Sequence, residues 1–165
     1  MRHVSSLPTR VIWVVKWSLM EDTLNINIWL QNEPLDEQNF IAPQNAVCGA
    51  FISFLGKTRQ ERHDVHGELA GLHYTAHEEL AVETLNSIAR QTAIEWECHE
   101  VTICHRLGMV KVGEASVAVG ASAPHRAQAL RATEEIMNQL KSKVPIWKEE
   151  HWASGTTWSE GTPIT

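Results

Sequence analysis

Residues 116–143 read SVAVGASAPHRAQALRATEEIMNQLKSK, and in this stretch a strand pattern is followed directly by a helix pattern. The apolar run over residues 116–121 is typical of a buried strand. From Pro124 onward, apolar residues recur every three or four positions, which predicts one buried helical face. Pro is favoured in the first turn of a helix, and Pro145 disfavours helix in the residue before it. We therefore expect one long helix from Pro124 to the end of the quoted stretch.

The rest of the chain alternates between strand and helix patterns. Residues 78–95 carry a helical stripe of apolar residues, and residues 57–68 are polar, which is typical of a loop. A closing hairpin around Gly155 is predicted from residues 152–158. Further strand patterns lie at residues 24–30, 47–55, 69–75, 99–105 and 109–112. This order of elements predicts an α+β fold with a mostly antiparallel sheet.

The size and charge of the chain limit its function. Its 165 residues suffice for one domain with a buried core. The formal net charge of −6 argues against broad nucleic-acid binding, which requires a basic face. The apolar run near the N-terminus is interrupted by Lys16 and is too short to span a bilayer. We expect residues 1–20 to be an extension outside the core, and residues 21–165 to form a single domain.

The cysteines and histidines argue against a metal centre. Cys48, Cys98 and Cys104 are odd in number and form no Cys-x-x-Cys, so we expect buried thiols in a protein of the reducing cytoplasm. His73 falls in a predicted strand and His77 at a helix start, so they do not share a helix face. We predict no metal and no cofactor, although a hydrolase that binds zinc through loop histidines stays open as a hypothesis.

Two cationic groups flank the predicted C-terminal helix. His125 and Arg126 stand at its start, where backbone N–H groups point outward and the helix dipole already disfavours cations. A bound phosphate or carboxylate would explain the pair, and a solvated Arg126 beside a capping His125 is the alternative. At the far end, Lys141 also complements the helix dipole. Lys148 follows an apolar run that we expect to be buried, a setting that suits acid–base or nucleophilic chemistry.

Several short segments together resemble the large, catalytic subunit of molybdopterin synthase. The resemblance spans residues 24–160. The matching segments are Gly49-Ala50-Phe51, Gly56-Lys57-Thr58-Arg59, His105-Arg106-Leu107-Gly108, Val112-Gly113-Glu114, Ser122-Ala123-Pro124-His125-Arg126, Lys141 to Lys148 with Pro145-Ile146-Trp147-Lys148, and Gly155 to Trp158. Each segment alone is weak evidence, whereas the ordered set is specific to this family.

The resemblance implies an α/β-hammerhead type of fold with an additional antiparallel sheet. It also implies a homodimer of large subunits within a heterotetramer. A ubiquitin-like small subunit would insert its C-terminal Gly-Gly thiocarboxylate at each end. The implied reaction is a sulfur transfer that adds two sulfurs to cyclic pyranopterin monophosphate and forms the dithiolene of molybdopterin. No cysteine of this chain is needed, because the sulfur arrives on the partner.

The resemblance also implies the site residues. The positions that match the family's active site are Arg59, His125, Arg126, Lys141 and Lys148, with Lys57, Thr58, Glu149 and Glu150 nearby. We expect Lys141 to meet the thiocarboxylate and activate the attack, and Lys148 to assist proton transfer. A non-catalytic phosphopterin-binding or scaffold module is the alternative, although binding alone would need fewer cations.

Overall fold

A computed structural model describes residues 24–36 and 46–159. These residues form two sheets and two helices. The predicted extension, residues 1–20, lies outside the described residues. In chain order, the described elements are β1 Asn25–Gln31, β2 Ala50–Lys57, β3 Arg62–His63, β4 Gly67–Ala76, α1 Glu78–Glu95, β5 Glu100–Arg106, β6 Gly108–Lys111, β7 Ala115–Ala123, α2 Arg126–Lys143, β8 Ile146–Trp152 and β9 Gly155–Trp158.

The first sheet has the strand order β1-β5-β7-β2, with β1 parallel to β5 and the other pairs antiparallel. Both helices pack on one of its faces, because the inward residues of β1, β5 and β7 share one core with α1 and α2. Ile136 and Leu140 of α2 are buried in this core, together with four alanines that have no exposed surface: Ala121, Ala123, Ala129 and Ala132. These small side chains let the helix approach the sheet closely.

The second sheet is antiparallel and joins β3, β4, β8 and β9, with β6 on the edge of β4. The chain enters β8 directly from the end of α2, and the turn after Trp152 forms the predicted hairpin, with Trp152 opposite Gly155. The α+β class, the mostly antiparallel pairing and the additional antiparallel sheet are confirmed. Helix α1 also has the predicted bounds.

The start of α2 differs from the prediction. The helix begins at Arg126, and Pro124 lies before it instead of in its first turn. His125 is the N-cap, with an extended backbone (φ −130°, ψ 151°). The reason is local, because the side chain of Gln128 reaches back and accepts the N–H of His125 at 3.1 Å. Such a return contact fixes the first helical residue.

Two further expectations are wrong in part. The predicted loop over residues 57–68 contains the short strand β3, which pairs with the start of β4. The apolar run before Lys148 is not buried throughout, since Trp147 is 54% exposed. Strand alternation is the cause, because Ile146 packs on the core and Trp147 therefore points to the opposite face of β8.

A buried histidine joins the two sheets. The His105 ring lies 4.9 Å from the Tyr74 ring, and its Nδ1–H donates to the Arg106 carbonyl oxygen at 2.8 Å. Burial lowers the pKa of His105 from 6.5 to about 4, and the hydrogen bond to the Arg106 carbonyl opposes this shift only in part. The ring is therefore neutral in the native protein at neutral pH.

This histidine makes folding stability depend on pH. The unfolded chain takes up a proton on His105 as the pH falls through 6.5, whereas the native protein does so only near pH 4. Stability from this group is thus lost as the pH falls between those values, by about 2 kcal/mol from pH 7.5 to pH 5. Urea unfolding of the wild type and of His105→Gln at both pH values measures it. An equal pH dependence in the two proteins would contradict the prediction.

Candidate functional site

The start of α2 carries a histidine and an arginine and no acidic side chain. His125 and Arg126 are both exposed there, and none of the described residues in the first turn of α2 is acidic. Helix α1 shows the ordinary pattern instead, with Glu78 and Glu79 in its first turn. Because the first N–H groups of a helix lack partners within the helix, this end combines backbone donors with a cationic side chain.

The other end of α2 carries a second cationic group. Lys141 is exposed in the last turn, fifteen residues after Arg126, which corresponds to about 22 Å along the helix. Since α2 starts just after β7 and packs back along it, its last turn lies toward the Ala115 end of β7. Within one copy of the chain, Lys141 therefore lies far from His125 and Arg126.

Lys148 of β8 lies close to a carboxylate. Its Nζ lies 3.8 Å from Glu150 Oε1, and Glu150 Oε2 accepts the Thr157 hydroxyl at 3.3 Å. The Thr157 oxygen in turn accepts the indole N–H of Trp152 at 2.8 Å. Lys148 is also in register with Tyr74, whose hydroxyl bonds Ser116 at the start of β7. Burial raises the pKa of Tyr74.

Glu149 belongs to a different surface. Alternation along β8 puts its side chain on the face opposite Lys148 and Glu150. There, Glu149 Oε2 lies 2.7 Å from His151 Nε2. Of the two glutamates that the sequence placed near the substrate, only Glu150 shares a face with Lys148.

The end of β2 lies toward the Ala115 end of β7, on the same side as the last turn of α2; we call Lys57, Thr58, Arg59, Lys141, Lys148 and Glu150 the lysine group. Lys57 is in register with Ala115, and the N–H of Thr58 donates to the Glu114 carbonyl oxygen at 2.9 Å. Thr58 is 3% exposed, and its hydroxyl has no hydrogen-bond partner within residues 24–36 and 46–159. Arg59 extends outward, and its Nε donates to Glu61 Oε1 at 2.6 Å. This hydrogen bond raises the pKa of the Arg59 guanidinium.

The predicted residues therefore form two groups in one copy of the chain. His125 and Arg126 lie at the end of β7, beyond Ala123. The second group lies toward the Ala115 end, and its members are Lys57, Thr58, Arg59, Lys141, Lys148 and Glu150. The roles of these residues stay predictions.

The buried Arg106 is a supporting residue to which the sequence patterns assign no role. Its guanidinium donates to Glu114 Oε2 at 2.7 Å and to the carbonyl oxygens of Met109 and Asn32 at 2.9 and 3.3 Å. The Lys111 N–H and then Arg106 hold the pKa of Glu114 below its usual range. Because the backbone of Glu114 binds Thr58, this brace fixes the segment that leads into Arg59.

Within the described part of the chain, no three histidine, cysteine or acidic side chains come together as a metal site would require. Neither of the two described helices has the length and apolar character needed to cross a bilayer. The cysteines among the described residues form no disulfide, and burial raises the pKa of Cys98 to about 11. A thiol in that state is a poor nucleophile near neutral pH.

Comparison with known proteins gives consistent matches. The model of the family described as MoaE protein matches residues 30–143. A molybdopterin synthase catalytic subunit of Coccidioides immitis is 41% identical over 82% of this chain and 68% of that protein. The catalytic subunit of Haemophilus influenzae is 33% identical over 82% of this chain and 91% of that protein.

Solved structures agree with these matches. Molybdopterin synthase from Staphylococcus aureus superposes with a TM-score of 0.72 at 29% identity, over 79% of this chain and 95% of that chain. A protein–protein complex of subunits 1 and 2 of molybdopterin-converting factor from Helicobacter pylori gives a TM-score of 0.62 over 83% and 91%. At 20% identity, this second likeness shows the fold alone. On the family model and the relatives together, the chain belongs to the MoaE family of molybdopterin synthase catalytic subunits.

Proposed function

We propose that this chain is the catalytic subunit of a molybdopterin synthase of the cytoplasm. It transfers sulfur from the C-terminal thiocarboxylate of a ubiquitin-like small subunit to cyclic pyranopterin monophosphate, and two transfers complete the dithiolene. The observation that carries the proposal is the pair of cationic ends on α2, at Arg126 and Lys141. Both reactants are anionic, so the reaction needs positive charge at each of them.

The start of α2 suits the phosphate of the substrate. The guanidinium of Arg126 can donate two parallel hydrogen bonds to phosphate oxygens, and His125 adds a further donor that can move a proton near neutral pH. Helix N–H groups favour the same negative charge. Arg59, whose side chain is 84% exposed, is a further candidate for this contact if it comes from a second copy of the chain.

The lysine group suits the sulfur transfer itself. Lys141 is exposed on the last turn of α2, so the thiocarboxylate tail of a docked subunit can reach it. An ammonium at that point would neutralise the tail and stabilise charge that develops during attack. Lys148 lies on the following strand, 3.8 Å from Glu150 Oε1, and we expect this ammonium to assist proton transfer.

The separation of the two groups favours a site that two copies of the chain share. About 22 Å between Arg126 and Lys141 exceeds the reach of one small substrate. In a two-fold symmetric dimer, the lysine group of one copy can meet His125 and Arg126 of the other. The heterotetramer then contains two such sites, each next to one small subunit.

Mixed dimers test this arrangement. We expect Lys141→Ala and the double variant His125→Ala with Arg126→Ala each to be inactive at low substrate concentration. Co-expressed with different tags and purified as mixed dimers, the two variants should regain one intact site of two. An unfractionated mixture should regain about a quarter of wild-type activity. Dithiolene formation with the thiocarboxylated small subunit is the measurement, and no regain in the purified mixed dimer would reject the shared site.

A further inference from the structure

The turn that ends α1 contains a glutamate in an unusual backbone conformation. Glu97 has a φ of 51°, which lies in the left-handed region that residues other than glycine rarely adopt. The N–H of the next residue, Cys98, donates back to the Ala93 carbonyl oxygen at 2.9 Å, which is the bond that closes a helix end with a left-handed residue. Glycine usually occupies that position, because it has no Cβ. A glutamate there suggests that its side chain has a use.

The side chain of Glu97 contacts the start of the other helix. Its Oε2 accepts a hydrogen bond from Gln128 Nε2, across 31 positions of sequence. Gln128 is the third residue of α2, and its Oε1 accepts the N–H of His125 at 3.1 Å. One amide therefore connects the end of α1 with the N-cap of α2. Both atoms of that amide are engaged, so its orientation is fixed.

We infer that Glu97 and Gln128 are positioning residues that hold His125 and Arg126 in the direction required for the substrate phosphate. The inference rests on the proposed function of those two residues. His125 and Arg126 are exposed, and His125 is in extended backbone, so packing alone does not hold this junction in place. A bond that fixes the N–H of His125 also fixes the first turn of α2 and its outward-pointing donors. A fixed donor set binds an anion with a smaller loss of entropy.

Substrate titrations of the assembled enzyme test the inference. With cyclic pyranopterin monophosphate and the thiocarboxylated small subunit, we expect Gln128→Ala and Glu97→Ala to raise KM about fivefold, with kcat within about twofold of wild type. Gln139→Ala is the matched control, since its Nε2 donates to Glu135 at 2.9 Å on the same helix, away from His125. Its KM should stay unchanged.

A reciprocal exchange gives the sharper test. Gln128→Glu alone places two carboxylates together and should raise KM. Combining Gln128→Glu with Glu97→Gln reverses donor and acceptor, because the new amide at position 97 donates to the new carboxylate at position 128. That carboxylate still accepts the N–H of His125. We expect the double variant to return KM to within about twofold of wild type, because the restored hydrogen bond couples the two side chains.

Arg126→Ala separates the two possible failures. If Arg126→Ala raises KM and Gln128→Ala does not, the positioning role is wrong and the phosphate site stands. The positioning role is equally wrong if Gln139→Ala raises KM as much as Gln128→Ala. If Arg126→Ala leaves KM unchanged, the proposed phosphate contact itself is wrong, and the positioning role is overturned with it.

Discussion

Lys141→Ala should reduce dithiolene formation about a thousandfold or more, because an ammonium aimed at the reacting groups contributes charge stabilisation that water does not replace. Its exposed position on the last turn of α2 means that the substitution removes no buried contact. Folding and small-subunit binding should therefore be retained. Single-turnover formation of dithiolene from the thiocarboxylated small subunit is the measurement.

Lys143→Ala is the control for this prediction. It removes the same charge two residues further on, where the ammonium is bound to Gln139 Oε1 at 2.9 Å. We expect the turnover of Lys143→Ala to stay within about twofold of wild type, since this variant changes only the overall electrostatic field, which salt screens. Near-normal turnover of Lys141→Ala, or an equal loss in both variants, would reject a catalytic role for Lys141.

Arg106→Ala should be the most destabilising single change among the polar residues around the candidate site. The guanidinium is buried and donates to one carboxylate and two carbonyl oxygens, so its removal leaves Glu114 and the Met109 carbonyl without this partner. Because Arg106 is buried while Glu114 is partly exposed, we expect the loss of these charge-assisted hydrogen bonds to cost about 2 kcal/mol. Urea unfolding at neutral pH gives the change in free energy.

The exposed pair between Arg62 and Glu68 supplies the comparison. Its atoms lie 3.2 Å apart, but the two side chains are 78% and 51% exposed. Arg62→Ala should therefore cost less than about 1 kcal/mol. If Arg106→Ala costs no more than Arg62→Ala, the brace does not stabilise the fold as we argue.

Local patterns predicted most of the elements because they depend on short-range periodicity. The stripe in residues 78–95 predicted α1 with its observed bounds, and alternation predicted β1 and β4 to within a residue or two at each end. The start of α2 was misplaced, because the contact that sets it comes from the side chain of Gln128 and not from Pro124. Turn chemistry of that kind is not visible in a hydrophobic pattern.

The arrangement of the site depends on topology, which periodicity does not report. The sequence grouped His125 with Lys141 because both flank one helix, yet the length of that helix is what separates them. The bracing role of Arg106 was equally hidden, since nothing in a local pattern marks an arginine as buried. The family resemblance did include its segment, and burial then supplied the reason.

The alanine contact between α2 and the first sheet has a mechanical consequence. Ala129 and Ala132 have no exposed surface, so a larger side chain at either position has no free space to occupy. We expect Ala129→Val or Ala132→Val to push α2 away from the first sheet and to change its orientation. Because α2 carries Arg126 in its first turn and Lys141 in its last, such a shift would change the positions of both cationic ends together.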